Sequence, residues 1–289
     1  MRYGEIVSHV NEIFGQYDMP LTLRQIYYRL VADFGMPNRR SAYNTLSRML
    51  VRAREQGEVD DTRIEDRSRE TLGGDFGFPG PEEYLKYKID NFRRVSYQRK
   101  MWEFQPRYIE VWVEKDALSR VISAITNKYS VVVCPSRGYS SYTYLKRMAV
   151  EDRFQKYTDK PIVVLDFRDH DPSGIQMTED LQNRLDRYGG DLDITVNRIA
   201  LTIEQVRRYK LIPNPTKIAD PRSPKYHLLY GNECWELDAI EPSELQRIVK
   251  ESIIDFIDAS LWKLTIEQSK REQKDLEKRI AELARKLEV

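Results

Sequence analysis

PIVVLDFRDHDPSG, residues 161 to 174, is an apolar, β-branched run that stops at Asp169-His170-Asp171 and continues into Pro172-Ser173-Gly174. A strand followed by a tight turn into a helix is the βα unit of an open α/β fold, which binds ligands at the carboxyl edge of its sheet. Carboxylates two residues apart on an extended segment point to the same side. Asp169 and Asp171 therefore form a candidate site for a hard cation such as Mg²⁺. The same residues also read as a capped βα turn, because Asp, Ser and Pro are ordinary at helix starts.

Outward from this stretch the pattern repeats. RYIEVWVE, from Arg107, and YSVVVC read as strands, as does ITVNRIAL. DALSRVISAITNK, SSYTYLKRMAVEDRF and SGIQMTEDLQNRLDRYG read as the helices between them. Repeated βα units with apolar strands predict a mostly parallel sheet covered by helices on both faces. The first strand ends at Glu114, which parallel topology places at the same edge as Asp169 and Asp171. Three carboxylates from two strand ends can bind one or two Mg²⁺ ions and hold a DNA phosphate beside a nucleophile. IEQVRRYKLIPNPTKIADPRSPKYH reads as a short helix and an irregular arm. Residues 241 to 289 read as helical and highly charged. There Leu276, Ile280, Leu283 and Leu287 form a short heptad seam that suits packing on the parent domain as well as dimerisation.

The N-terminal part carries helical rather than strand periodicity. Residues 1 to 16 form one predicted helix, LTLRQIYYRLVADFG a second with Thr22 as N-cap and Gly35 as its stop, and SAYNTLSRMLVRAREQG a third from Ser41 to near Gly57. Three short helices with an arginine-rich last member suggest a helix-turn-helix or winged-helix unit, with any wing around VDDTRIEDRS. TLGGDFGFPGPE, residues 71 to 82, reads as a loop or linker, and a helix is expected from about Glu82 to Arg99. The resulting division is 1–83, a DNA-binding domain; 84–106, a linker helix; 107–240, the α/β domain; and 241–289, a helical extension.

Net charge over the 289 residues is only +1, so composition alone gives no nucleic-acid signal. Its distribution says more. From Thr22 to Arg54 there are seven arginines, no lysine and one acid, Asp33, whereas residues 55 to 83 carry ten acids against three arginines. Such segregation predicts a basic face for phosphate contact, with Arg29, Arg39, Arg40, Arg48 and Arg52 as candidate DNA contacts. No apolar run approaches the roughly 20 residues that span a bilayer, and the N-terminus carries no apolar signal core. Cys134 and Cys234 are expected to be buried and reduced. The expectation is a cytoplasmic, nucleoid-associated protein with no membrane partner.

Taken in order, VEKDA (113–117), SRGY (136–139) and DHDPSG (169–174) resemble the Toprim domain of the topoisomerase VI A subunit and of its relative, the meiotic double-strand-break transesterase. TLRQIYY (22–28) resembles the family's Thr-x-Arg-(Glu/Asp)-x-Tyr-Tyr motif, and RIALTIEQVRRYKLIPNP resembles the segment after its metal motif. The resemblance covers most of residues 20 to 240, and in its compactness the chain looks like the single-gene mini-A relatives of phages, plasmids and bacteria. It implies an α/β plus α protein: an N-terminal winged-helix-like domain, then a Toprim-like, Rossmann-like, mostly parallel α/β domain with C-terminal helices.

It also implies roles. Tyr28, or its neighbour Tyr27, would form a 5′-phosphotyrosyl bond with double-stranded DNA. Arg24, one helical turn earlier, would stabilise phosphate charge and help the phenol ionise, and an unperturbed phenol near pKa 10 needs such help. Neighbours on a helix sit about 100° apart, so one tyrosine can be buried while the other faces DNA. Glu114, Asp169 and Asp171 would hold Mg²⁺, or Mn²⁺ in its place. The family acts as a homodimer in which each tyrosine meets the partner's metal site, and it uses a separate ATPase subunit that nothing in this chain resembles. Gln25 stands where the family usually has an acid. Glu236 and Asp238 of WELDAIEP could add metal ligands or cap the following helix, and capping and packing is the expectation. The implied function is that of a type IIB topoisomerase A-like transesterase making Mg-dependent double-strand breaks. The alternatives are a Toprim nuclease that hydrolyses DNA without a covalent intermediate, and a non-catalytic DNA-binding protein.

Overall fold

Apolar residues three and four apart organise the first helices. The computed structural model describes residues 1–65, 77–93, 97–136, 138, 140–216 and 223–286. The chain divides into two compact units, one of Met1–Ser68 with Arg107–Asp255 and one of Arg69–Pro106 with Phe256–Val289. Arg137 and Tyr139 of SRGY, the end of the expected wing at 66–68, residues 71–76 of the Gly/Pro-rich loop, 94–96 of the helix expected to Arg99, 217–222 of the irregular arm and Leu287 of the heptad seam lie outside the described residues.

The first unit opens with α1 (Tyr3–Gly15), the short strand β1 (Leu21–Thr22), α2 (Leu23–Phe34), α3 (Arg40–Glu55) and the short strand β2 (Ile64–Glu65). Ile6, Val10, Ile13, Ile26, Leu30, Leu46 and Leu50 are buried together between the helices. Thr22 caps α2 as expected, its hydroxyl accepting the Gln25 N–H at 3.1 Å. Gln25 returns the contact, its Oε1 accepting the Thr22 N–H at 2.9 Å. The amide thus completes a capping box, a role the usual acid could also fill. Gly35 ends the helix in the left-handed region, with φ 69°. The described part of the expected wing is no antiparallel hairpin, because β2 pairs in parallel with β1.

Along the chain follow α4 (Pro81–Arg93), β3 (Tyr108–Val113), α5 (Ser119–Thr126), β4 (Val132–Pro135), a π-helix (Tyr144–Glu151), β5 (Ile162–Phe167), α6 (Pro172–Gly189) and β6 (Ile194–Ala200). Then come α7 (Ile203–Tyr209), β7 (Asn214–Pro215), α8 (Ser223–Tyr230), β8 (Glu233–Cys234), α9 (Pro242–Ile254) and α10 (Ala259–Lys286). The predicted α/β class holds, with strands β4, β3, β5 and β6 in that order, all parallel. β3 and β5 are central, and every residue of both is buried. From β3 the chain crosses to one side, and from β5 to the other. The crevice between their carboxyl ends is therefore the switch point at which open α/β sheets bind ligands. The helix after β4 is wound as a π-helix rather than an α-helix.

The expected helical C-terminal segment comprises two helices, α9 in the first unit and α10 in the second. Asp258 starts α10, its carboxylate accepting the N–H groups of Ser260 and Leu261. Within the second unit α10 holds the segment that follows α4: Arg99 pairs with Glu272 at 2.5 Å, Trp102 packs edge-on to Trp262, and Gln105 exchanges hydrogen bonds with the Asp258 backbone. Within the heptad seam Leu276 and Ile280 are half-buried, while Leu283 is exposed. No helix among the described residues is long and apolar enough to cross a membrane.

Candidate active site at the sheet edge

Glu114 directly follows β3, and its N–H still donates to the Phe167 carbonyl at 2.9 Å, so it sits at the end of the central strand pair. Its carboxylate faces the turn after β5, accepting the Asp169 N–H at 3.4 Å. That turn is pinned from three directions. His170 exchanges backbone hydrogen bonds with Trp235 at 2.8 and 3.0 Å, Leu237 N–H donates to Asp169 Oδ1 at 2.8 Å, and Arg198 donates to the Asp169 and Gly174 carbonyls. Gly174 is required by close approach, since a Cβ there would lie 2.2 Å from the Asp169 carbonyl oxygen.

The two aspartates serve different partners. The strand ends at Phe167, so Asp169 and Asp171 are no longer two steps along one ladder. Asp169 Oδ2 lies 2.8 Å from Lys115 Nζ. Asp171 caps α6, accepting the Gly174 N–H at 2.6 Å and the Ser173 hydroxyl at 2.8 Å. The capped-turn reading of DHDPSG holds for Asp171, whereas Asp169 is the acid turned toward Lys115. Among the described residues no three His, Cys, Asp or Glu side chains already converge as a metal-ligand group.

Lys115 is the centre that sequence reading passed over, although it follows Glu114 inside VEKDA. Its ammonium contacts Asp169 at 2.8 Å, Asp238 at 2.8 Å and Glu236 at 3.0 Å. Glu236 also takes both of its oxygens to Arg24 Nη1. The expectation that Glu236 and Asp238 cap the following helix is therefore overturned. Glu241 caps α9 instead, because its carboxylate is the one adjacent to the Glu244 N–H.

The electrostatics follow from this crowding. Burial raises the Asp169 carboxyl to about 7, with Lys115 pulling down and Glu114 and Asp238 pushing up. Glu114 is raised by burial and by the Asp171 charge against the pull of Lys115. Burial alone would raise Glu236, but Lys115 and Arg24 outweigh it and hold the carboxyl below its ordinary value.

The tyrosine pair is resolved by its hydrogen bonds. Tyr27 braces the connection between α2 and α3: its hydroxyl accepts the Arg39 N–H at 2.9 Å and contacts Asn38 and the Pro37 carbonyl. The Tyr28 hydroxyl accepts from Asn214 Nδ2 at 2.8 Å. Both rings are buried, 5 % and 3 % exposed, so the expected split into one core and one surface tyrosine does not hold. The reason is that α2 is covered on more than one side. Tyr27 packs on Tyr43 of α3, and the β7 segment reaches Tyr28. Burial and the Glu236 charge raise the Tyr28 phenol to about 12, opposed by the Asn214 hydrogen bond, Arg24 and Lys115. Asn214 belongs to the LIPNP segment and is positioned by pairing of β7 with β8, in register with Cys234.

Beside these groups runs a groove of about 640 Å³ whose lining includes Arg24, Tyr43, Arg54, Glu114, Lys115 and Asp238. Of the predicted DNA contacts, Arg39, Arg40, Arg48 and Arg52 are exposed, and Arg52 stacks over the Tyr3 ring at 4.8 Å. Arg29 is half-buried and donates to the Ala239 carbonyl instead. Compared with known proteins, the chain matches no model of a protein family and no curated protein.

Proposed function

We propose that the protein cleaves double-stranded DNA by transesterification, with Tyr28 as nucleophile, Arg24 as the phosphate-binding cation beside it, and Glu114, Asp169 and Asp171 as the cation-binding edge. One observation carries the reading. Arg24, on the Tyr28 helix, and Asp169, on the sheet, are joined through Glu236 and Lys115 within one compact unit, with the Tyr28 hydroxyl feeling the charges of all but Asp169. Residues far apart in sequence thus bring a phenol, two cations and carboxylates within electrostatic reach of one another.

The donor set suits a hard divalent cation, being all oxygen and carrying two carboxyls whose ionisation burial and neighbouring acids oppose. Glu114, Asp169 and Asp171 would hold it, and bound Mg²⁺ or Mn²⁺ would offset phosphate charge. Arg24 and Lys115 orient the phosphate and favour the phenolate, and Asn214 holds the phenol oxygen in place. Exposed Arg39, Arg40, Arg48 and Arg52 extend the phosphate contacts. A winged-helix-like domain joined to a Toprim-like domain, acting as a homodimer with or without a separate ATPase subunit, is the arrangement this reading adopts.

The burial of Tyr28 favours a second reading, hydrolysis by the acidic edge with Tyr28 structural. Supercoiled DNA incubated with Mg²⁺ or Mn²⁺ and run on denaturing gels with and without protease separates the two. The proposal expects protein covalently joined to 5′ ends and no cutting by Tyr28→Phe. Cutting by Tyr28→Phe that leaves free phosphate ends establishes hydrolysis in its place.

A further inference from the structure

We propose that Glu236 is an internal stand-in for a DNA phosphate: its carboxylate fills an anion position made by Arg24 and Lys115, and duplex DNA displaces it. This rests on the reading that the groove takes DNA.

The geometry is that of an anion shared by two cations. Arg24 Nη1 donates to both Glu236 oxygens, and Oε2 is also 3.0 Å from Lys115 Nζ. Guanidinium and ammonium groups bind carboxylate and phosphate oxygens through the same charge-assisted hydrogen bonds, so either anion satisfies the pair. Arg24 and Lys115 both line the groove of about 640 Å³, so the position opens to a chain entering there.

The two cations would survive the exchange. Lys115 keeps Asp169 and Asp238, and Arg24 keeps its place over the Tyr43 ring at 5.2 Å. Glu236 lies just outside β8, in a turn held by its neighbours: Trp235 pairs with His170, and Leu237 N–H binds Asp169. Its side chain can therefore leave while its backbone stays. Exchange replaces a spectator anion beside the Tyr28 hydroxyl with the phosphodiester itself. The same contact adds to burial in keeping the Tyr28 phenol neutral, because the Glu236 charge raises it against the pull of Arg24.

The test is binding of a short fluorescein-labelled duplex by anisotropy, in EDTA so that no cutting intervenes, over a series of salt concentrations. Glu236→Gln is expected to tighten binding about tenfold and to steepen the slope of log K against log salt by about 0.9 for each phosphate gained. Asp238→Asn removes an equal charge from Lys115 but leaves the Glu236 carboxylate bound to Arg24, and it is expected to gain less than about threefold. The Glu236→Gln gain should vanish in an Arg24→Ala background. The stand-in is overturned if Glu236→Gln gains no more than Asp238→Asn, or keeps its gain without Arg24. Should Glu236→Gln melt below the assay temperature, Glu236→Asp decides. It keeps the charge but withdraws the carboxylate, and an unchanged slope overturns the proposal. Binding without any gain defeats the stand-in alone. Absence of DNA binding by every form defeats the function reading as well.

Discussion

Two acidic groups on the same strand, β3 and its immediate end, behave in opposite ways. Glu110, in mid-strand, is fully buried and fully matched: Arg153 binds both of its oxygens, at 2.6 and 3.0 Å, and Tyr108, Trp112 and Cys134 donate as well. Glu114, four residues on, has no such match: Lys115 and Arg168 pull on its charge one way and Asp171 the other, while Asp169, Glu236 and Asp238 gather on Lys115. In the first place charge is closed off, and in the second it is left in excess. A matched buried carboxylate holds a sheet together. An edge with more acid than base is ready for another cation.

Removing one member of each group tests that contrast most strongly. Glu110→Ala leaves the half-buried Arg153 without its carboxylate and is expected to cost about 3–5 kcal/mol, measured by urea unfolding. Glu114→Gln removes a carboxylate whose ionisation burial already opposes, so stability should change by less than about 1 kcal/mol. Equal losses in the two variants would make the edge a structural element and end the distinction.

Added metal sharpens it further. Mg²⁺ at about a hundred times its Kd should stabilise the wild type by about 2.7 kcal/mol, and Glu114→Gln should lose that response. A wild type whose melting temperature ignores Mg²⁺ and Mn²⁺ would remove the cation from the edge.

The smallest effect concerns His170, which sits beside Asp169 but belongs with the matched groups: its Nδ1 lies 2.8 Å from the Tyr226 hydroxyl. Burial and Arg198 lower the imidazole to about 4. The folded ring binds a proton less readily than the unfolded one, so His170 contributes stability above its ordinary pKa of about 6.5, and that contribution is lost as pH falls toward 4. Proton NMR of the ring should show its midpoint near 4, and a midpoint near 6.5 would place it with the solvated groups.

What could be read directly shows where sequence signals are local. Thr22 and Gly35 bound α2 because caps act within one helical turn, and the βα alternation announced a parallel sheet because buried strands are apolar throughout. Glu110 gave no such notice, appearing only as the polar member of an alternating run. Lys115 was in view inside VEKDA, yet nothing nearby in the chain says that its partners lie at Asp169, Glu236 and Asp238. Asn214 was legible only as part of LIPNP, since its role depends on pairing with β8. The two tyrosines are adjacent on one helix, and local geometry gave no means of assigning one to the Arg39 backbone and the other to Asn214 and the charges near it.

The sequence by itself determined the ends of α2, the parallel α/β order and the presence of acids at the ends of two strands. These follow from backbone geometry and from apolar periodicity over a few residues. Only the tertiary structure decided which acids are neutralised, which tyrosine faces the charges, and that Glu236 binds Arg24 and Lys115 rather than capping a helix. Coulomb energy depends on distance through space and on burial, and neither is written along the chain.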